Sequence, residues 1–115
     1  MRSAVVDTSV ALAWYLDEEH SPSAREWQEA MLGGRARLLV PSLHYWEFSN
    51  ALRSLVARTE IDEAVARTVY DLHLGAPLDQ AEPDRRQVLD VALEYGATVY
   101  DAAVMPLALA PSLPL

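Results

Sequence analysis

The stretch Ala4-Val5-Val6-Asp7-Thr8-Ser9-Val10 decides how the rest of the chain is interpreted. Its apolar, β-branched start is typical of a buried strand, and the polar stop followed by a second apolar run predicts a helix directly after it. Asp7 then lies at the C-terminal end of a strand, which in an open parallel sheet is the edge where ligands bind. In the alternative interpretation, Asp7, Thr8 or Ser9 only caps the helix by accepting hydrogen bonds from its first N–H groups.

Length and composition predict a single domain over residues 1–115. The chain has 115 residues, of which 51% are hydrophobic and 23% charged, and this composition is typical of a globular protein. It contains no cysteine, which excludes disulfides and thiolate metal sites. The N-terminus leaves no room for a signal peptide, and no apolar run approaches the roughly 20 residues that span a bilayer. We therefore expect a soluble, cytoplasmic protein without a membrane contact.

The formal net charge of −8 argues against non-specific electrostatic binding of nucleic acid. All nine basic residues are arginines, and they are scattered along the chain rather than forming a basic stripe. If RNA binds, metal ions or local arginines must overcome the negative field. The acidic excess fits carboxylates that hold divalent cations, or a basic polypeptide partner.

Beyond the opening stretch, the pattern alternates helices with one further short strand. Apolar spacing, capping residues and Gly or Pro breaks predict a helix over 21–32, a strand over 37–40, a helix over 42–58, a helix capped by Asp62 and ending near Leu74, and a helix from Asp84 to Gly96. This order predicts an α/β protein.

Two further acids stand at the beginnings of predicted elements. Glu47 lies early in the helix over 42–58 and shares a helical stripe with Asn50. Thr98 and Asp101 form a possible capping box, which places Asp101 in the first turn of a helix. Each acid alone could simply favour the positive end of a helix dipole. Asp7, Glu47 and Asp101 together predict a site for Mg²⁺ or Mn²⁺, because converging carboxylates repel one another unless a cation binds.

The three histidines do not suggest a zinc site. None of His20, His44 and His73 has a second histidine four residues on or a cysteine nearby. We interpret them as surface or packing residues.

The acidic motifs resemble those of a known family. The successive segments are Val5-Val6-Asp7-Thr8-Ser9, Glu47 with Asn50-Ala51-Leu52, and Val99-Tyr100-Asp101-Ala102-Ala103 followed by Leu107-Ala108-Leu109. In this order they resemble the PIN-domain nucleases, and in particular the toxin subunits of VapBC toxin–antitoxin pairs.

That resemblance implies a three-layer α/β/α domain around a parallel sheet and a metal-dependent endoribonuclease that acts on RNA. It implies Asp7, Glu47 and Asp101 as catalytic metal ligands for Mg²⁺ or Mn²⁺, with Ser9 and Asn50 in supporting positions. It also implies a homodimer and a cognate antitoxin as partner.

Two departures from the family pattern affect what we expect. Family members usually continue beyond the equivalent of Leu115 into another strand that carries a further Asp, so we expect a missing last strand, a weaker metal site and an apolar surface that favours dimerisation. Met105-Pro106 also interrupts a helix that is smooth in the family.

Two alternatives to an active ribonuclease follow from the residues. The first is a catalytically weak or inactive PIN remnant that binds an antitoxin or a sister subunit. The second is a phosphotransferase with Asp7 as covalent nucleophile, which the absence of any lysine disfavours because such a site needs a phosphate-anchoring residue.

Overall fold

The opening stretch forms the predicted strand and helix. The computed structural model describes residues 2–19 and 21–98, and in it β1 spans Arg2–Val5 and α1 spans Thr8–Ala13. Asp7 stands between them with an extended backbone (φ −90°, ψ 167°) and is the N-cap of α1. The chain therefore changes from strand to helix within two residues, at the acid that the sequence singles out.

The remaining elements follow the predicted order with one addition. They are α2 (Ser21–Leu32), β2 (Ala36–Val40), α3 (Leu43–Ala57), α4 (Glu63–Leu74), β3 (Asp79–Gln80) and α5 (Arg85–Tyr95). Asp62 and Asp84 cap α4 and α5 as predicted, with their carboxylates accepting from Val65 N and Gln87 N. Gly96 ends α5 with a left-handed backbone (φ 64°), a conformation that glycine adopts without a steric penalty.

The strands of the described residues form one parallel sheet in the order β1-β2-β3. β1 pairs along β2 from Arg2↔Ala36 to Val5↔Leu39, and β3 pairs with the end of β2 at Val40↔Gln80. The prediction of an α/β protein with a parallel sheet is thereby confirmed. Because the strands are parallel, the segments that follow all three lie along the same edge.

No local sequence pattern predicts β3. Its two residues, Asp79 and Gln80, are exposed and polar, so no apolar alternation marks them as a strand. The strand forms through pairing with β2, and the ion pair between Arg37 Nε and Asp79 Oδ2 at 2.7 Å adds a contact between the two strands.

The core lies against β2 and the short helix α1. Leu38 and Leu39 lie on opposite faces of β2 and are both buried, as expected for a strand covered on both faces. Trp14, directly after α1, is also buried, and its indole Nε1 donates a hydrogen bond to Ala24 O of α2 at 2.8 Å. Burial of these side chains holds α1 against the sheet, with its N-terminal end at the carboxyl edge.

Some predictions concern residues outside the described ranges. These are the predictions for His20, Asp101, Met105-Pro106 and the apolar segment that follows, together with the expected missing strand. Within the described ranges, none of the helices has the length and apolar character needed to cross a membrane.

Candidate active site

Asp7 both caps α1 and presents a carboxylate at the carboxyl edge of the sheet. Its Oδ1 accepts hydrogen bonds from Val10 N at 2.9 Å and from Ser9 Oγ at 2.8 Å. The capping interpretation is therefore correct, and Ser9 contacts Asp7 directly. Neither hydrogen bond uses Oδ2, and the residue is exposed, so a second role for the carboxylate is compatible with the cap.

Glu47 lies beside this cap although it is distant in sequence. Thr8 Oγ1, in the first turn of α1, donates to Glu47 Oε2 on α3 at 3.4 Å. Glu47 is half-buried, and α1 packs against α3. The structure therefore brings two of the three predicted acids to the N-terminal ends of adjacent helices.

Thr8 is the site residue that the sequence analysis missed. In the sequence, Thr8 is part of a motif or a possible cap, whereas in the structure it links the Asp7 turn to Glu47. A hydroxyl directly after an acid at a strand end is the signal that could have identified it. Its donor is suited to hold a carboxylate in one orientation.

Asn50 lies one turn beyond Glu47 on α3 and is exposed. Its main-chain carbonyl accepts a hydrogen bond from Ser54 Oγ at 3.1 Å. Within residues 2–19 and 21–98, its side chain makes no hydrogen bond. The structure thus places Asn50 near Glu47 along the helix without a direct link to it.

The donor chemistry of these residues fits a hard divalent cation. Carboxylate oxygens are the ligands that Mg²⁺ and Mn²⁺ prefer. The described part of the chain contains no group of three or more His, Asp or Glu side chains that could hold a metal ion. Asp7 and Glu47 therefore supply at most two ligands there, and Asp101, the third predicted ligand, lies outside the described residues.

A further acid, Glu82, lies on the same edge after β3. Its Oε1 accepts a hydrogen bond from Ser42 N at 2.7 Å, directly before α3. This backbone hydrogen bond lowers the pKa of Glu82. Ser42 is the N-cap residue of α3, but its side chain makes no capping hydrogen bond, so Glu82 provides a negative charge at that helix start.

A buried polar chain lies behind the candidate site. The Tyr15 hydroxyl is 2.9 Å from His73 Nδ1, and His73 Nε2 is 2.7 Å from His44 Nε2. This chain joins α3 and α4 to the turn after α1. Of the two roles that the sequence left open, surface or packing, His44 and His73 have the packing role, since both are buried. Their pairing was not predicted.

Burial controls the protonation of both imidazoles. It lowers the pKa of His44 to about 4, an effect that the Asp7 carboxylate partly opposes. Burial, together with the neighbouring His44, lowers the pKa of His73 to about 3. Both rings are neutral near pH 7, so one Nε2 carries a proton and the other accepts it.

The acidic side chains lie at the carboxyl edge of a parallel sheet, which is where open α/β proteins bind their ligands. The PIN domain family matches residues 4–115, and the chain belongs to this family. PIN domains are generally nucleases, and they generally use divalent metal ions. The resemblance to the family is thereby confirmed.

The fold agrees with a solved relative. The chain is similar to PAE2754 from Pyrobaculum aerophilum, with a TM-score of 0.73 and 24% sequence identity. The similarity covers 98% of this chain and 71% of that one. This likeness supports the PIN fold, a three-layer α/β/α arrangement. No curated protein matches the sequence.

Proposed function

We propose that the protein is a cytoplasmic, Mg²⁺- or Mn²⁺-dependent endoribonuclease of the VapC toxin type. The observation that carries the proposal is the hydrogen bond from Thr8 Oγ1 to Glu47 Oε2, which holds a second carboxylate beside the Asp7 turn. The PIN family relationship adds the nuclease class. In this proposal Asp7, Glu47 and Asp101 hold the cation, and Ser9 and Asn50 support the site.

The chain's own groups have distinct tasks in this proposal. Ser9 and the Val10 amide fix Asp7 through Oδ1, so the carboxylate would be held in one orientation when it binds a cation. Thr8 orients Glu47 in the same way, so the two carboxylates are held before any ligand arrives. A bound divalent cation supplies water activation and neutralises the phosphodiester as it is attacked.

The partners implied by the toxin resemblance form part of the proposal. We propose a homodimer and a cognate antitoxin that neutralises the nuclease. Support comes from α5, where Leu89 and Leu93 are large apolar side chains with 51% and 73% exposure, one helical turn apart. Static light scattering measures the dimer directly, and a small antitoxin gene beside this one would support the toxin assignment.

Cleavage of RNA tests the nuclease. The wild-type chain is expected to cut a mixed panel of RNA substrates in Mn²⁺, and EDTA is expected to abolish the activity. Asp7→Asn and Glu47→Gln should each remove it, whereas Asp62→Asn, which changes the N-cap of α4, should not. Cleavage that survives chelation, or that persists in both site variants, would contradict the proposal.

A further inference from the structure

The contact between Thr8 and Glu47 is too weak to position the start of α3 by itself. Thr8 Oγ1 lies 3.4 Å from Glu47 Oε2. Hydrogen bonds between two oxygen atoms are usually about 2.5 to 3.0 Å long, and they weaken as the distance grows. Other contacts must therefore determine where α3 presents the Glu47 carboxylate.

The buried polar chain of Tyr15, His73 and His44 joins α1 to α3 by a second route. Tyr15 follows the end of α1, and His44 lies in the first turn of α3, three residues before Glu47. His73, near the end of α4, connects them through both of its ring nitrogens, at 2.9 Å from the Tyr15 hydroxyl and 2.7 Å from His44 Nε2. A shift of the start of α3 would therefore break a short hydrogen bond.

Burial makes the hydrogen bonds of this chain costly to break. His44 and His73 are both buried, and among the described residues no buried side-chain nitrogen or oxygen lacks a hydrogen-bond partner. Water cannot replace a partner that is lost inside the core. The start of α3 is thus held more firmly through His44 than through the Thr8 hydrogen bond. Glu47 is one helical turn from His44, about 4.5 Å along the axis, so it moves with that turn.

An electrostatic effect places His44 near the candidate site. Burial lowers the pKa of His44 to about 4, and the Asp7 carboxylate opposes that shift. A carboxylate affects an imidazole in this way only at short range. The polar chain therefore ends beside the acids of the candidate site.

We infer that the buried polar chain positions Glu47, and that it thereby sets the affinity of the candidate site for a divalent cation. The inference rests on the proposed metal site and adds residues that bind no ligand themselves. Tyr15, His73 and His44 are positioning residues, and their effect reaches the site through the first turns of α3.

The competing explanation is that ring packing alone positions α3. Phe48, directly after Glu47, is fully buried and stacks on His73 with ring centroids 4.0 Å apart. Two variants separate the explanations. His73→Phe keeps a ring against Phe48 and removes the hydrogen bonds, whereas His73→Gln removes the ring and keeps an amide that can both donate and accept. If hydrogen bonding positions Glu47, His73→Gln is the milder change, and if ring packing does so, His73→Phe is.

The experiment measures the Kd for Mn²⁺ by calorimetric titration. Tyr15→Phe removes one oxygen from the chain and keeps the ring. Tyr15→Phe and His73→Phe should each raise the Kd by about tenfold, the lower end of the effect of groups that orient metal ligands. His73→Gln should raise it less than His73→Phe does. Combining Tyr15→Phe with Thr8→Val should raise the Kd by less than the product of the two single effects, because both changes act on Glu47.

Val69 provides the control on the same helix. It is buried one turn before His73 and takes no part in the polar chain. Val69→Ala should lower stability in urea without changing the Kd for Mn²⁺. The inference is wrong if Val69→Ala raises the Kd as much as Tyr15→Phe does, or if His73→Phe binds Mn²⁺ more tightly than His73→Gln. Tyr15→Phe decides the matter if a His73 variant does not fold.

NMR spectra recorded without metal separate this inference from the proposed function. The side-chain carboxyl carbon of Glu47 and the methyl group of Thr8 should shift in Tyr15→Phe and stay in place in Val69→Ala. A wild-type chain that binds no Mn²⁺ but shows these shifts would support the positioning and contradict the metal site. Equal Mn²⁺ affinity in the wild type and Tyr15→Phe, with unchanged spectra, would support the metal site and contradict the positioning.

Discussion

His44 Nε2 lies 2.7 Å from His73 Nε2, and this buried pair links α3, which carries Glu47, to α4. The Tyr15 hydroxyl extends the link to the turn after α1, so one polar chain fixes the relative positions of three segments. Buried polar networks are favourable only when every member is satisfied. Here the network depends on both imidazoles being neutral, because a hydrogen bond between two Nε2 atoms needs one donor and one acceptor.

The first prediction is that stability falls as the pH is lowered. The pKa values of His44 and His73 are about 4 and about 3 in the folded chain, against about 6.5 for an unperturbed histidine. As the pH is lowered, these histidines therefore bind protons in the unfolded chain before they do so in the folded chain. The stability that depends on these two histidines is fully present above about pH 6.5. It is lost as the pH falls towards their pKa values in the folded chain, by at most roughly 1.4 kcal/mol per pH unit for each histidine.

Urea unfolding between about pH 7 and about pH 4 measures this loss, because that range spans the titration of the unfolded histidines and ends near the folded pKa of His44. The matched variant is His73→Phe, which keeps a ring against Phe48 but removes one titrating group. It should be less stable at neutral pH, since His44 and Tyr15 lose a partner, and its stability should depend less on pH. An equally steep pH dependence in His73→Phe would contradict the assignment to this pair.

The second prediction separates the two roles of Asp7. Asp7→Asn keeps a capping side chain, so without metal the free energy of unfolding should change by less than about 0.5 kcal/mol, whereas Asp7→Ala should lower it by about 1 kcal/mol. Both variants should lose Mn²⁺ affinity because the charge is gone. Calorimetric titration with Mn²⁺ and urea unfolding measure the two effects on the same samples.

Asp62 offers the control for that comparison, because it caps α4 through the same kind of hydrogen bond to a backbone N–H. Asp62→Ala should cost a similar amount of stability and leave Mn²⁺ affinity unchanged. If Asp7→Asn binds Mn²⁺ like the wild type, the carboxylate is only a cap.

Local signals made much of this fold predictable. The caps Asp62 and Asp84 and the glycine at position 96 act within one turn of chain, so helix ends follow from neighbouring residues alone. β3 could not be predicted in this way, since Asp79 and Gln80 form a strand only because β2 provides the pairing partner.

The candidate site likewise contains residues that local sequence predicts and contacts that depend on packing. Asp7 could be found because a strand, an acid and a helix are contiguous in sequence. The contacts of Glu47 with Thr8, 39 positions away, and of His44 with His73, 29 positions away, depend on how the helices pack. The sequence predicts that Asp7 and Glu47 belong to one site, but the contact that links them, made by Thr8, becomes visible only in the folded chain.

The third prediction concerns Thr8. Thr8→Val keeps the shape of the side chain but removes the donor to Glu47 Oε2, so Mn²⁺ affinity should fall by about tenfold, as for other groups that orient a ligand. Thr68→Val, an exposed threonine on α4, is the control and should not change the affinity. Equal Mn²⁺ affinity for Thr8→Val and the wild type would show that the hydroxyl does not position Glu47.

The last prediction concerns Glu82, which holds the start of α3 in place. Glu82→Gln keeps a possible acceptor for Ser42 N but removes the charge, and Glu82→Ala removes both. We expect the free energy of unfolding to fall by a few tenths of a kcal/mol for Gln and by about 1 kcal/mol for Ala.

The lowered pKa of Glu82 means that this contribution is present above its unfolded pKa and is lost as the pH falls through its folded value. Urea unfolding at neutral and acidic pH checks both points. If Glu82→Ala reduces stability equally at both pH values, the carboxylate charge does not stabilise α3.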